Sequence, residues 1–324
     1  MNRKITVSAP GKLMLLGEHA VVYGSPCIVT AVSQRMKATV ELTDNSIFEL
    51  QAPDVKVADY KKPMANLGQG EIPKGAKFVE IAIKNFTTSH PISGGIKVTT
   101  ASEFSSEFGF GSSSASTVCV IKALSELTGA NLDKKDIFDL AYKTVLDIQS
   151  KGSGFDVAAA TFGGTLYYIT PGKVIEVLDI DSLPLIVGYS GVKVDTVTIV
   201  NEVAKKSDKY PQVVENTYSQ IEKLVEQAKV SLLNKDWVTL GELMNFNQGL
   251  LSFLGVEGRK LADMIYGARD QGAYGAKLSG AGMGDCMIAL HPVQGKPAIE
   301  KGITDAGGKI IDVEANVEGV RVES

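Results

Sequence analysis

The sequence predicts an α+β fold arranged as two domains. The first half is rich in strand-like alternation, as in the segment KATVEL at residues 37–42, whereas the second half opens with helical segments and ends in strand-like ones. A chain of 324 residues is also long enough for two domains of ordinary size. The change of pattern places the boundary near residue 185, which gives domains at 1–185 and 186–324.

The first domain begins with strand-like segments. Residues 5–16 read as a strand that a turn or bulge interrupts at Pro10 and Gly11, because these residues disrupt regular pairing. Residues 26–50 alternate as strands do, while residues 52–75 carry three prolines and several glycines, which is typical of a loop. Apolar spacing predicts a helix at residues 77–86, and GGIKVTTAS at residues 94–102 predicts another strand.

Helices and strands then follow one another along the chain. Residues 112–128 form a predicted helix that ends at Gly129, and a second helix runs to residue 150 with Asp133 as its N-cap. Residues 163–170 and 183–190 are predicted strands. The remaining segments are helical at about 195–206, 210–233, 236–253 and 256–271, and strand-like at 285–292 and 309–324.

Composition and charge restrict the class of protein. With 44% hydrophobic and 22% charged residues, the chain has the composition of a soluble globular protein. A net charge of −4 argues against a nucleic-acid or anionic-membrane surface, where a basic excess is expected. No apolar run reaches the roughly 18 residues of a membrane span, and the N-terminus lacks the apolar core of a signal peptide. Cys27, Cys119 and Cys286 form no C-x-x-C pair, so we expect reduced thiols in a cytoplasmic protein.

The segment EFGFGSSSAS, residues 107–116, is a candidate phosphate site. Its two glycines permit close approach of the backbone to a ligand, and its three serines stand where a helix is predicted to begin: Gly109, Gly111, Ser112, Ser113 and Ser114. The unpaired N–H groups and the positive dipole end of a helix start favour a phosphate. Taken alone, however, the segment better fits a common Gly-Ser turn with a serine N-cap. It matches neither G-x-x-x-x-G-K-[ST] nor G-x-G-x-x-G after a strand.

Three further segments are rich in glycine and small residues. SAPGKLMLLGEHAVVYGSP, residues 8–26, holds a lysine after a Pro-Gly turn and a Glu-His pair between glycines. KGSGFDVAAATFGG, residues 151–164, has a single acid, Asp156. GAKLSGAGMGDC, residues 275–286, holds four glycines within ten residues. Such density costs conformational entropy, so it favours close packing of the backbone against a ligand or strand over an ordinary helix-to-strand connection.

Taken in their order along the chain, these four segments resemble the motifs of the GHMP kinase superfamily. The superfamily is named for galactokinase, homoserine kinase, mevalonate kinase and phosphomevalonate kinase. The first segment and residues 244–282 look most like the mevalonate kinases, and GFGSSSAS is similar to the family's nucleotide loop GLGSSAA. The resemblance implies ATP-dependent phosphorylation of a small alcohol. It also implies the fold: a first domain like ribosomal protein S5 domain 2, then a ferredoxin-like domain, with the active site between them.

The resemblance implies a role for each matching residue. Asp156 would be the catalytic base toward the substrate hydroxyl, and Lys12 would offset the charge that develops on the phosphoryl group. Ser113 would contact a magnesium ion, while Glu18 and His19 would lie near the mevalonate pocket. The remaining matches would wrap the triphosphate of ATP or close the site from the second domain: Gly109, Gly111, Ser112 and Ser114 for the first role, and Gly280, Ala281 and Gly282 for the second.

The sequence departs from the mevalonate kinase pattern at two places. Val145 stands where many mevalonate kinases carry a glutamate that binds magnesium, and the nearest acid, Asp147, would point to a different helix face. Either the metal is held without this carboxylate, or Asp147 replaces it after a local shift. In addition, the segment around Asp156 and the acid Asp285 look closer to phosphomevalonate kinase.

Three functional hypotheses follow from this mixture. We favour mevalonate as the acceptor, because Glu18 and His19 belong to the mevalonate-type first motif. Phosphomevalonate is the alternative, and its phosphate would need additional cations, for which Lys151 and Lys193 are the candidates. A ligand-sensing protein without catalysis is less favoured, because Lys12, Ser113 and Asp156 are all present. The family resemblance also suggests a homodimer.

Overall fold

The computed structural model of the chain describes residues 4–323. Their larger β-sheet begins with a long antiparallel pair and follows the order β12-β1-β2-β5-β3-β4, while β6 and β7 extend it from the N-terminal part of β2. All pairs are antiparallel except that of β3 with β5. Its strands are β1 (Lys4–Leu16), β2 (Pro26–Thr43), β3 (Ile47–Ala52), β4 (Val57–Pro63), β5 (Gly95–Ser102), β6 (Thr165–Ile169), β7 (Val174–Leu178) and β12 (Arg321–Val322).

The predicted interruption of β1 is confirmed. The pairing of β1 with β2 changes register between Pro10 and Gly11, which is a bulge-like irregularity. Directly after it, the Lys12 N–H donates to the Phe110 carbonyl at 3.0 Å. This contact holds residues 109–111 against β1.

Helices α2 and α4 pack on β1 and β2 of this sheet, and α1 and α3 pack on α2. They are α1 (Lys77–Ser89), α2 (Ser112–Thr128), α3 (Lys134–Gln149) and α4 (Phe155–Phe162). Gly129 ends α2 in the left-handed conformation, and Asp133 caps α3 by accepting from the Asp136 N–H at 2.8 Å, so both predicted helix boundaries are confirmed. Helices α1, α2 and α3 all contact one another.

The smaller sheet has the antiparallel order β11-β8-β10-β9. Numbered within this unit, the order is fourth, first, third, second strand, with helices after the first and third, which is the ferredoxin-like arrangement that the resemblance implied. The elements are β8 (Leu185–Tyr189), α5 (Thr196–Lys209), α6 (Pro211–Leu233), α7 (Trp237–Phe253), α8 (Arg259–Asp270), β9 (Gly275–Ser279), β10 (Cys286–Leu290), α9 (Lys296–Asp305) and β11 (Lys309–Ile311).

Several predictions about elements were wrong. The proline-rich region 52–75 contains β4, and β7 and α9 were not predicted. Residues 309–324 were expected to be strand-like throughout, but their described part forms only β11 and β12. Because β12 pairs with β1, the end of the chain returns to the larger sheet. We keep 1–185 and 186–324 as the proposed domains, with this return added.

One buried arginine fixes that returning segment. Arg35 is 5% exposed, and its guanidinium donates to the carbonyls of Glu318 and Gly319 and to the Ser8 hydroxyl, at 3.0, 2.6 and 2.6 Å.

Among residues 4–323, no helix is long and apolar enough to cross a bilayer.

Candidate active site

The start of α2 is a site prepared for an anion. Gly109 and Gly111 have φ of 74° and 78°, in the left-handed region that favours glycine. Gly111 is the N-cap of α2, and within residues 4–323 no side chain caps this helix start. The alternative of a serine N-cap is therefore wrong. The first N–H groups of the helix remain available, and the helix dipole adds partial positive charge to them.

The Asp156 carboxylate lies beside this helix start. Asp156 belongs to the first turn of α4, whose N-cap Gly154 has φ of 83°. The buried Ser114 hydroxyl donates to Asp156 Oδ2 at 2.5 Å. This bond fixes the carboxylate and leaves Oδ1 for other partners. Because the Ser114 side chain is engaged, its backbone N–H is the group left for a phosphate.

Lys12 completes a cluster around Gly111. A Cβ added to Gly111 would lie 3.4 Å from Lys12 Cε and 3.5 Å from Asp156 Cβ, so both side chains flank this glycine. Lys12 is 9% exposed, and its ammonium donates to the Gly109 carbonyl at 2.6 Å. Burial lowers the pKa of Lys12, and the negative charges of Asp156 and Asp285 oppose that shift. A cation and a carboxylate thus meet beside the anion site.

Hydroxyl groups hold the loop that leads to Asp156. Tyr168 and Thr170 donate to the Ser153 carbonyl at 2.6 and 2.7 Å, and Tyr142 donates to the Gly152 carbonyl at 2.6 Å. Lys151 at the start of this loop is exposed and has no ion-pair partner within residues 4–323. The loop therefore has a fixed backbone, while the Lys151 side chain extends into solvent.

Glu18 and His19 connect the two sheets. The buried Glu18 carboxylate accepts a hydrogen bond from Lys277 of β9, and both side chains are at most 1% exposed. Burial raises the pKa of Glu18 and lowers that of Lys277, and each charge opposes the shift of the other. His19 Nε2 lies 2.9 Å from the Ala281 carbonyl, which can only accept, so this nitrogen carries the proton. Substrate contact by Glu18 and His19 stays a prediction, since the contacts present here are between domains.

The glycine-rich segment at residues 275–286 packs tightly against the helical layer. Gly280 and Gly282 have φ of 104° and 89°. A Cβ at Gly282 would lie 2.2 Å from the Val256 carbonyl oxygen, which allows no side chain there. The Ser279 hydroxyl bonds to both the N–H and the carbonyl of Met14 in β1, each at 3.0 Å. These contacts hold residues 279–282 against the first domain.

Asp285 ends this segment close to the phosphate loop. A Cβ on Gly109 would lie 2.6 Å from Asp285 Oδ2, so the carboxylate covers that glycine. Lys193 forms an ion pair with Asp285 at 3.2 Å. Asp285 was not assigned to the site from the sequence, and its only signal was the likeness to phosphomevalonate kinase. Lys193, predicted to bind substrate, thus lies beside the loop with its charge partly balanced.

The residues around Val145 bear on the two metal hypotheses. Val145 is buried, and its Cγ1 would lie 3.3 Å from a Cβ at Gly152, next to the Asp156 loop. Asp147 instead accepts from Lys143 at 2.7 Å and from Asn85 of α1 at 2.9 Å. The bond with Lys143 lowers the pKa of Asp147. These contacts hold the Asp147 carboxylate at α1 and do not support its replacing the missing glutamate, which stays a prediction.

Carboxylates do not gather into a metal centre of their own here. Residues 4–323 contain no group of three or more His, Cys, Asp or Glu side chains arranged to hold a metal ion. The oxygen donors at the helix start are the Ser113 hydroxyl and Asp156. That set suits an ion held mainly by phosphates and water, which is how magnesium commonly binds with nucleotides.

A cavity of about 580 Å³ lies between α1 and α3. Its walls combine apolar side chains with an amide and cations, namely Ile72, Ile81, Ile148, Asn85, Lys84 and Lys143. Ile148 is within one helical turn of Val145, which contacts the Asp156 loop. The lining also includes the Asp147 carboxylate, and the cavity shares helix α3 with Val145.

Comparisons with known proteins agree with this architecture. Models of the GHMP kinase N-terminal domain and C-terminal region match residues 77–164 and 224–302. The chain is 36% identical to the mevalonate kinase of Pyrococcus horikoshii, over 100% of this chain and 99% of that protein. The chain belongs to the GHMP kinase family. As a GHMP kinase it transfers a phosphoryl group from ATP, which makes the anion site at α2 the expected place for the nucleotide phosphates.

Solved structures of related kinases share the fold of this GHMP kinase. Mevalonate kinase from Methanococcus jannaschii is 26% identical with a TM-score of 0.82, over 97% of this chain and 98% of that one. L. major mevalonate kinase, solved in complex with R-mevalonate, is 27% identical with a TM-score of 0.78, over 96% and 95%. Streptococcus pneumoniae phosphomevalonate kinase, with a TM-score of 0.80 over 96% and 99%, is 19% identical and shows the common fold alone.

Proposed function

We propose that this kinase transfers the γ-phosphoryl group of ATP to the 5-hydroxyl of mevalonate. The observation that carries the proposal is the cluster of Lys12, Ser114 and Asp156 around Gly111, at the uncapped start of α2. A full-length relative at 36% identity bears the name mevalonate kinase, which supports mevalonate as the acceptor.

The nucleotide would lie along the start of α2. Its phosphates would contact the N–H groups of Ser112, Ser113 and Ser114, where the helix dipole favours negative charge. The base would enter the cavity between α1 and α3, where Ile72, Ile81 and Ile148 offer apolar contacts to a flat ring. Ile148→Gln should then weaken ATP binding and leave the KM for mevalonate unchanged.

Asp156 would act on the acceptor hydroxyl. Its Oδ2 is occupied by Ser114, so Oδ1 is the atom that would accept the proton as the hydroxyl oxygen attacks phosphorus. Lys12 would offset the negative charge on the transferring group from a buried position, where an electrostatic interaction is stronger than in water. Transfer would be direct and in line, since Asp156 as base and Lys12 as cation suffice for it without a phosphoenzyme step.

Magnesium would be held by the Ser113 hydroxyl, the phosphates and water, with no ligand from Val145. When bound, the ion supplies charge neutralisation for the phosphates. Ser113→Ala should mainly raise the magnesium concentration needed for half-maximal activity. An unchanged magnesium dependence would remove Ser113 from this role.

Phosphomevalonate is the less favoured acceptor. A phosphorylated acceptor needs more positive charge than mevalonate does, yet Lys151 extends into solvent and the charge of Lys193 is partly balanced by Asp285. Two full-length relatives, which are 36% and 35% identical to the chain, also bear the name mevalonate kinase. A cytoplasmic location and a homodimer remain predictions, and light scattering of the purified protein measures the second.

A coupled ADP-release assay with magnesium and ATP tests the proposal. We expect turnover with mevalonate and little with 5-phosphomevalonate. Asp156→Asn should lower kcat by about 100- to 10,000-fold while ATP still binds. Asp181→Asn at the exposed pair with Lys235 is the matched control, since it makes the same chemical change away from the site. Turnover with 5-phosphomevalonate alone, or near-normal turnover of Asp156→Asn, would overturn the assignment.

A further inference from the structure

The carboxylate of Asp285 occupies an unusual place for a negative charge. It covers Gly109, whose Cα approaches Asp285 Oδ2 so closely that an added Cβ would lie at 2.6 Å. Asp285 is 12% exposed at its side chain and has φ of 56°, a left-handed conformation that glycine adopts at lower cost. A carboxylate beside a phosphate-binding loop repels the anion that binds there, so its presence calls for a compensating interaction.

That compensation comes from Lys193 and the loop that carries it. Lys193 Nζ lies 3.2 and 3.3 Å from the two carboxylate oxygens, and the Val194 N–H donates to Oδ1 at 3.3 Å. The backbones are also joined, since Asp285 N–H donates to Val192 and Ser190 N–H donates to Asp285, at 2.8 and 2.9 Å. Asp285 therefore fixes the whole turn that presents Lys193.

The Lys193 ammonium still has capacity for another partner. It carries three N–H donors, and its side chain is 43% exposed although it is paired. The pair also lies within electrostatic range of Lys12, whose environment includes Asp156, Asp285, Lys193 and Cys286. A bound anion at the phosphate loop would thus meet the positive charges of both Lys12 and Lys193.

We propose that Asp285 is a positioning residue that holds the Lys193 ammonium over Gly109, where Lys193 donates to an anionic oxygen of bound substrate. The inference rests on the proposed function for the site but not on the identity of the acceptor. The anionic oxygen belongs either to a nucleotide phosphate or to the acceptor's acidic group, and both are the same chemistry for an ammonium.

The proposal makes the effect of one substitution depend on its partner. Lys193→Met removes the cation and leaves an unpaired carboxylate against the anion site, so we expect KM to rise by about 10- to 100-fold. Asp285→Asn in the wild type frees Lys193 from its position and should raise KM by about 3- to 10-fold. Asp285→Asn in the Lys193→Met background removes the repelling charge and should instead recover part of the lost affinity.

Steady-state kinetics of the two single variants and the double variant test this reversal of sign. KM for ATP and for whichever acceptor supports turnover identifies the source of the anion, and binding of a fluorescent ATP analogue without acceptor gives the nucleotide arm independently. Absence of turnover with mevalonate would refute the proposed function. The binding measurement with the fluorescent ATP analogue would still test the role of Lys193. Lys193→Arg should keep most of the affinity, because it preserves the charge.

The remote ion pair of Lys235 and Asp181, both exposed, provides matched controls. Lys235→Met and Asp181→Asn make the same changes of charge and should leave every constant unchanged. If Asp285 only stabilised the fold, Asp285→Asn would lower the melting temperature in both the wild-type and the Lys193→Met background, and KM would not change. That pattern, or an unchanged KM in Lys193→Met for both substrates, overturns the proposal.

Discussion

The buried pair of Glu18 and Lys277 allows a sharp prediction about stability. In Lys277→Met, the Glu18 carboxylate keeps its buried position but loses its cation, and its Oε2 has no hydrogen-bond partner within residues 4–323 even in the wild type. The folded variant can protonate Glu18 to avoid a buried charge. From an ordinary value of 4.5, that protonation costs about 3.4 kcal/mol at pH 7, because each pH unit is about 1.36 kcal/mol. Breaking a buried ion pair typically costs about 3–5 kcal/mol, and we expect the loss of unfolding free energy in Lys277→Met to lie in this range.

The pH dependence of this loss follows from the same reasoning. In Lys277→Met the folded state retains a proton on Glu18 that the unfolded chain releases above pH 4.5, so the variant loses stability as pH rises. Between pH 7 and pH 5 its deficit relative to the wild type should shrink, by at most about 2.7 kcal/mol, because burial also raises the pKa of Glu18 in the wild type.

Urea unfolding followed by circular dichroism at both pH values measures the deficit. The double variant Glu18→Gln/Lys277→Met removes both charges and should recover most of the stability, since a neutral buried pair has no uncompensated ion. Lys235→Met, at an exposed pair, is the control and should behave as the wild type. A deficit that does not change with pH, or a double variant as unstable as the single one, would refute the reasoning.

Three other predictions concern the site itself. Ser114→Ala removes the bond that fixes the carboxylate of Asp156, the proposed base, so kcat should fall by about 10-fold or more with little change in the KM for ATP. Because burial lowers the pKa of Lys12 from its ordinary value of 10.5, kcat should decline as pH rises through that lowered value, and Lys12→Arg should move the decline to higher pH. Gly282→Ala should unfold at lower urea than Gly272→Ala: the two glycines have φ of 89° and 88°, but only Gly282 would clash, with Val256.

Local signals in the sequence were sufficient for many elements. The Pro10–Gly11 interruption of β1, the Gly129 stop of α2 and the Asp133 cap of α3 each depend on one or two residues and their neighbours. In contrast, β4 lies in a segment with prolines at both flanks and mostly exposed side chains, and it is defined by pairing with β3. Such pairing is not visible in the composition of the strand itself.

The sequence motifs predicted which residues form the candidate site, but not which of them contact one another. Lys12, Ser113 and Asp156 were found because each stands in a glycine-rich segment with a family resemblance. The bond between Ser114 and Asp156 joins residues 42 positions apart, and that between Glu18 and Lys277 spans 259 positions. Only the fold brings these pairs together. Lys277 did leave a signal, since a lysine inside the small and apolar strand GAKLS requires a buried partner.

The position of the third glycine segment relative to the phosphate loop is therefore set largely by polar contacts. The Ser279 hydroxyl bonds to Met14, Lys277 pairs with Glu18, and Ala281 accepts from His19. All three partners lie at the end of β1 or just after it, so one short segment connects Lys12 to the second domain. Hydrogen bonds in a buried interface are directional, so they define the distance between the domains more narrowly than apolar packing does. It follows that substitutions at Ser279 should change kcat through the placement of residues 280–285.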